Sequence, residues 1–163
     1  MRLDPTQRHR AQIDGAVEAY IPQWREAYGH ALKKVLPTFL EEENVLVVTQ
    51  CFRGWGLRQG LLFITDLRLV WTKQSFVRRH PNIATIAYAE LDRLELLVDE
   101  RFHRPALWPV YVEATGVGRE TSFSFLESSY EVIPALRSVL ARLLGERFVD
   151  LLPANFVTRK RNS

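Results

Sequence analysis

The hydrophobic repeat of this chain changes period at Pro37, and no other feature of its 163 residues limits the fold as much. Before that proline, Trp24, Ala27, Tyr28, Ala31, Leu32 and Val35 recur at three- and four-residue intervals, which places them along one side of a helix. After it, short apolar runs are broken by glycine, proline, asparagine and aspartate, the pattern of strands joined by turns. A chain written this way predicts a mostly-β body preceded by helices, and the helical stripe needs a surface to pack against.

The N-terminal segment divides in two. Asp4 stands as an N-cap before Pro5, whose missing N–H costs nothing in the first helical turn. Pro22 would remove a hydrogen bond from a continuous helix and clash with the turn before it, so two helices are expected, at residues 5–20 and 22–36. Seven strands follow, at 45–52, 61–65, 68–72, 83–88, 91–98, 110–114 and 122–126. The second and third make a hairpin around Asp66 and Leu67, and Gly54, Gly56 and Gly60 serve the loop before it. Gly116-Val117-Gly118-Arg119 turns the chain before the last strand, where Phe123 and Phe125 share a face. Ser128-Ser129-Tyr130-Glu131 has the form of a capping box for a closing helix with the stripe Ile133, Leu136, Leu140, Leu143 and Leu144. Pro134 sits awkwardly in its first turn, and Gly145 offers a stop.

Composition fixes the class. Hydrophobic residues at 47% and charged residues at 25% are those of a globular domain, which excludes wholesale disorder and fibrous structure. The formal charge of +3 is a mild excess without a dense basic stripe, so nucleic acid is not an expected partner. Cys51 is the sole cysteine, which excludes an internal disulfide framework and a cysteine-rich zinc site. The first residues lack a secretory leader and no segment is apolar enough to span a membrane, so a cytoplasmic location is expected. The division expected is a helical extension at 1–36, a core domain at 37–152 and a basic tail at 153–163.

Three segments carry a resemblance: Phe39-Leu40-Glu41-Glu42-Glu43-Asn44-Val45-Leu46, Gly60-Leu61-Leu62-Phe63-Ile64-Thr65-Asp66-Leu67-Arg68-Leu69-Val70-Trp71 and Ile86-Ala87-Tyr88-Ala89-Glu90-Leu91. In order and spacing they resemble the bacterial PH-like and GRAM-like domains over residues 36–148, with Thr65-Asp66-Leu67-Arg68-Leu69 the most specific run. The resemblance implies an α+β, mainly β fold: a PH-like, seven-stranded antiparallel β-barrel capped by a C-terminal α-helix, here with an added N-terminal helical segment. In the hairpin, Thr65 and Asp66 can accept backbone N–H groups while Arg68 meets a carboxylate, which is a structural role.

No catalytic pairing stands out. His9, His30, His80 and His103 are scattered without metal-ligand spacing and read as surface or loop residues. Cys51 reads as a small buried thiol, the glycines at 54–60 match neither a Walker nor a dinucleotide loop, and Asp92, Glu95, Asp99 and Glu100 read as a solvated strand edge. No cofactor, metal or catalytic residue is expected. In PH-like domains the loops after strands one, three and six surround one end of the barrel, which implies a rim of Arg53, Trp55, Arg58, Arg78, Arg79, His80 and Arg119. Guanidinium groups bind phosphate or carboxylate in two-pronged fashion, and a tryptophan at a glycine-flanked tip can enter a partner's pocket or a membrane interface. The basic pattern of phosphoinositide-binding PH domains is missing, since Gly60-Leu61-Leu62-Phe63-Ile64 carries no basic residue. A binding module acting through protein contacts or self-association is therefore expected first, peripheral binding to an anionic membrane surface second, and an enzyme acting on a small substrate last.

Overall fold

The computed structural model describes residues 4–22, 26, 29–53, 59–73, 83–98, 110–116, 119–125 and 131–153. Helix α1 (Pro5–Tyr20) and the short α2 (Gly29–Val35) precede strands β1 (Val45–Arg53), β2 (Gln59–Thr65), β3 (Arg68–Lys73), β4 (Ile83–Ala87), β5 (Arg93–Val98), β6 (Val110–Gly116) and β7 (Arg119–Phe125). Helix α3 (Ile133–Leu144) and an eighth strand, β8 (Phe148–Asp150), follow. Pro5 opens α1 as expected, but the Asp4 side chain caps nothing, and only its carbonyl accepts the Arg8 N–H, at 2.9 Å. Pro134 lies in the first turn of α3, where its missing N–H is harmless, and Val132 takes the cap position; Ser128, Ser129 and Tyr130 of the expected capping box lie outside the described residues. Gly145 ends it at φ +57°, a left-handed conformation that favours glycine.

The strands form one sheet in the order β4-β3-β2-β1-β7-β6-β5-β8. A closed seven-stranded barrel is therefore not what the chain makes: the sheet is open, and it has eight strands. The reason lies at β5. Its outer edge is taken by β8, which runs parallel to it with Leu94 opposite Phe148 and Leu96 opposite Asp150, and that edge is then unavailable to β4. The 3₁₀ turn Tyr88–Glu90 crosses the gap between β4 and β5, with Tyr88 and Leu91 both buried in the interior.

Two apolar clusters share the β1–β3 ladder. On the inner face Val47, Cys51, Leu62, Ile64, Leu69 and Trp71 pack with Phe123, Phe125 and the α3 residues Ile133, Leu136 and Leu140. On the outer face Val48, Leu61, Phe63 and Val70 pack with Ile13, Val17, Ile21, Ala31, Leu32 and Val35 of the N-terminal helices. The helices therefore cover their own sheet. A register shift between Val45 and Val47 moves the strand's phase, so that Val45 lies in the outer cluster and Val47 in the inner. Of the predicted helical stripe, Ala31, Leu32 and Val35 are buried as expected, and Trp24, Ala27 and Tyr28 lie outside the described residues.

Candidate functional site

At the β2–β3 turn, Glu43 organises a polar node. Its side chain is 0% exposed and that of Arg68 18%. Arg68 grips the carboxylate with two prongs, Nε to Oε1 at 2.9 Å and Nη2 to Oε2 at 3.0 Å, and Nη2 also reaches the Thr38 carbonyl. The Leu40 N–H donates to Oε2 at 2.9 Å and the Thr65 hydroxyl to Oε1 at 2.7 Å. Thr65 Oγ1 in turn accepts the N–H groups of Leu67 and Arg68, at 3.1 and 3.0 Å, which closes the turn. Burial pushes the Glu43 carboxyl up, but the hydrogen bonds of Arg68, Leu40 and Thr65, with the charge of Arg68, outweigh it and hold the group below the usual glutamate value. A carboxylate gripped by four donors is a poor proton acceptor, so Glu43 joins elements rather than doing chemistry.

The same node fastens α1. His9 is buried, 2% exposed, and its Nε2–H donates to the Glu43 carbonyl at 2.7 Å, while its ring lies 5.4 Å from that of Phe39. A carbonyl only accepts, so Nε2 carries a proton. His9 is therefore a core residue and not the surface or loop residue expected from the sequence. Gln12 bridges to Asn44 Oδ1 at 2.9 Å and accepts the Val45 N–H at 3.0 Å; Asn44 in turn donates its backbone and side-chain N–H groups to Asp66. The sequence pointed to Thr65, Asp66 and Arg68 but not to Glu43, which meets Thr65 and Arg68 across 22 and 25 residues of chain, nor to His9 and Gln12, which meet Glu43 and Asn44 across 34 and 32.

Of the predicted basic rim, Arg53 ends β1 and Arg119 opens β7. Phe52 pairs with Gln59 and Gly60 with Lys73, so the ends of β1 and β3 lie beside one another across the start of β2. Arg53, half-buried, holds its guanidinium carbon 5.6 Å from the centre of the Trp71 ring, an attractive cation–π placement. Gly60 is no loop hinge: it lies within β2, where a Cβ would run into the Thr72 carbonyl oxygen and stand 2.7 Å from the Trp71 ring. Arg119 is not in a turn but opens β7, paired with Gly116. With Arg53 opposite Phe123, Arg119 lies four register positions beyond the end of β1. Trp55, Arg58, Arg78, Arg79 and His80 lie outside the described residues. Cys51 is wholly buried, and burial pushes its thiol far above the usual range. Glu95 pairs with Arg93 at 2.5 Å; Asp99, Glu100 and His103 lie outside the described residues. Among the described residues no helix is long and apolar enough to cross a membrane.

These features define a mixed, mostly-strand α+β domain: an open sheet curled around a C-terminal helix, with two N-terminal helices on the outer face of its first half. No protein-family model matches the sequence, and no curated protein matches it. Among solved structures, the hSac2 domain of the human phosphoinositide phosphatase Sac2 is similar in fold, with a TM-score of 0.52 and 11% identity over 79% of this chain and 89% of that one. The C-terminal domain of an unknown protein from Leishmania infantum aligns at a TM-score of 0.50, with 20% identity over 71% of this chain and 96% of that one. A pleckstrin homology domain from Shewanella amazonensis aligns at 0.49, with 13% identity over the same two shares. At such identities the likeness is one of fold alone.

Proposed function

We propose that this chain is a PH-like binding module that acts through protein contacts and has no catalytic centre of its own. The observation that carries the reading is the pairing that sets the ends of β1 and β3 beside one another, with Arg53 anchored on Trp71. From those two ends leave the segments that contain Trp55 and Arg58, and Arg78 and Arg79. Tryptophan and arginine are the side chains that most often dominate the binding energy of protein interfaces, and the rim suits an acidic protein segment. The non-catalytic reading draws support from two buried groups. Glu43 has its carboxylate engaged by four donors, and the Cys51 thiol is held protonated in the core.

The test is site-specific photo-crosslinking from position 55 in cells that make the protein, with Arg78→Glu/Arg79→Glu as the comparison. A defined protein adduct that the double variant loses, at unchanged melting temperature, is the expected result. Binding instead to vesicles of anionic phospholipid, weakened by salt and by the same variant, would replace the protein partner with a membrane surface.

A further inference from the structure

The two edges of the open sheet differ in kind. β8 has three residues, follows Arg147 directly and ends in Asp150, whose carboxylate Arg137 holds at 2.6 Å. Shortness and charge are what blunt a sheet edge against further pairing. β4 has five residues, Ile83-Ala84-Thr85-Ile86-Ala87, with no charge, proline or glycine among them. Among the described residues it pairs with β3 alone, so the N–H and C=O groups of alternate residues point away from the sheet. The strand is held from both faces, since Ile83 packs on the helical cluster while Ala84 and Ile86 pack on the interior one. Thr85, its central residue, is exposed.

We propose that the outer edge of β4 pairs antiparallel with β4 of a second copy of this chain, in a register centred on Thr85, so that one sheet runs through a two-fold dimer. The proposal rests on the reading of the chain as a protein-contact module and names one partner. The register follows from geometry. Residues directly opposite one another in a ladder share a face, so a two-fold antiparallel pair must be centred on a residue, and only Thr85 brings all five residues into pairs. It sets Ile83 against Ala87 and Ala84 against Ile86, a large side chain beside a small one on both faces, and Thr85 against Thr85. No like charges meet anywhere along the strand.

Sedimentation equilibrium on the full chain tests this, in a concentration series reaching about 1 mM, since a short edge predicts a Kd on the order of micromolar or weaker. Thr85→Lys and Thr85→Glu each place like charges across the axis and raise the Kd by on the order of tenfold or more, with melting unchanged. An equal mixture of the two variants recovers a dimer. Hydrogen exchange gives a readout without substitution, because amides in 83–87 gain protection as the wild-type concentration rises. A wild type that stays monomeric, a lysine variant whose Kd equals that of the wild type, or a mixture that does not recover the wild-type Kd overturns the proposal. Loss of the dimer with the position-55 adduct retained rejects only the β4 edge, and loss of the adduct with the dimer retained rejects only the rim.

Discussion

Glu43 is charged and wholly buried because its four donors come from three separate places in the chain, the 38–40 turn, Thr65 and Arg68. Removing its charge leaves Arg68 facing a neutral group in a mostly buried site, so Glu43→Gln should destabilise the fold by about 3 kcal/mol, measured by urea unfolding. Since the carboxyl titrates lower folded than unfolded, the unfolded chain takes up the proton first on acidification. The stability due to Glu43 is complete above the ordinary glutamate value of about 4.3 and is lost as the pH falls through the folded value, a dependence Glu43→Gln should reduce. Gln50 is the opposite case: both amide atoms are buried with no hydrogen-bond partner among the described residues. Gln50→Leu should therefore raise stability by about 1 kcal/mol, seen as a higher melting temperature.

Among the elements, α1 and β2 make the most definite claims. β2 is buried on both faces, from Gly60 through Thr65, because α3 and the inner cluster lie on one side and the N-terminal helices on the other. The run Leu61-Leu62-Phe63-Ile64 agrees with this burial, since a strand covered on one face alternates and this one does not. If α1 is an integral layer, Ile13→Ala removes buried volume from a shared core and should cost about 2–5 kcal/mol in one cooperative transition. A sheet that unfolds at the same denaturant concentration in wild type and variant would instead make α1 an appendage. Gly60→Ala should cost about 1–3 kcal/mol, because the backbone of Thr72 must move to admit the methyl group.

For the molecule as a whole, the chain's own sheet covers Ala31, Leu32 and Val35, which removes these residues from any self-association. Of the two sheet edges, β4 is the longer and the uncharged one. β8 and the residues beside it bind the C-terminal end to the sheet: the Leu151 N–H donates to the Leu96 carbonyl at 2.8 Å and Leu152 is buried in the inner cluster. Asp150→Ala removes the Arg137 pair, whose partners are each about one-third exposed, so the expected loss of stability is under about 1 kcal/mol.

The order of elements could be read from local pattern, because apolar period, turn residues and prolines act over a few positions: α1, the β2–β3 hairpin, the paired Phe123 and Phe125, and the Gly145 stop all lie where those signals put them. Closure could not. Whether β4 reaches β5 depends on a competitor, β8, that comes more than 50 residues later, and three residues of Phe148-Val149-Asp150 carry too little local signal to announce a strand. The same holds for His9 and Glu43, whose burial follows from partners distant in sequence and adjacent only after the chain has packed.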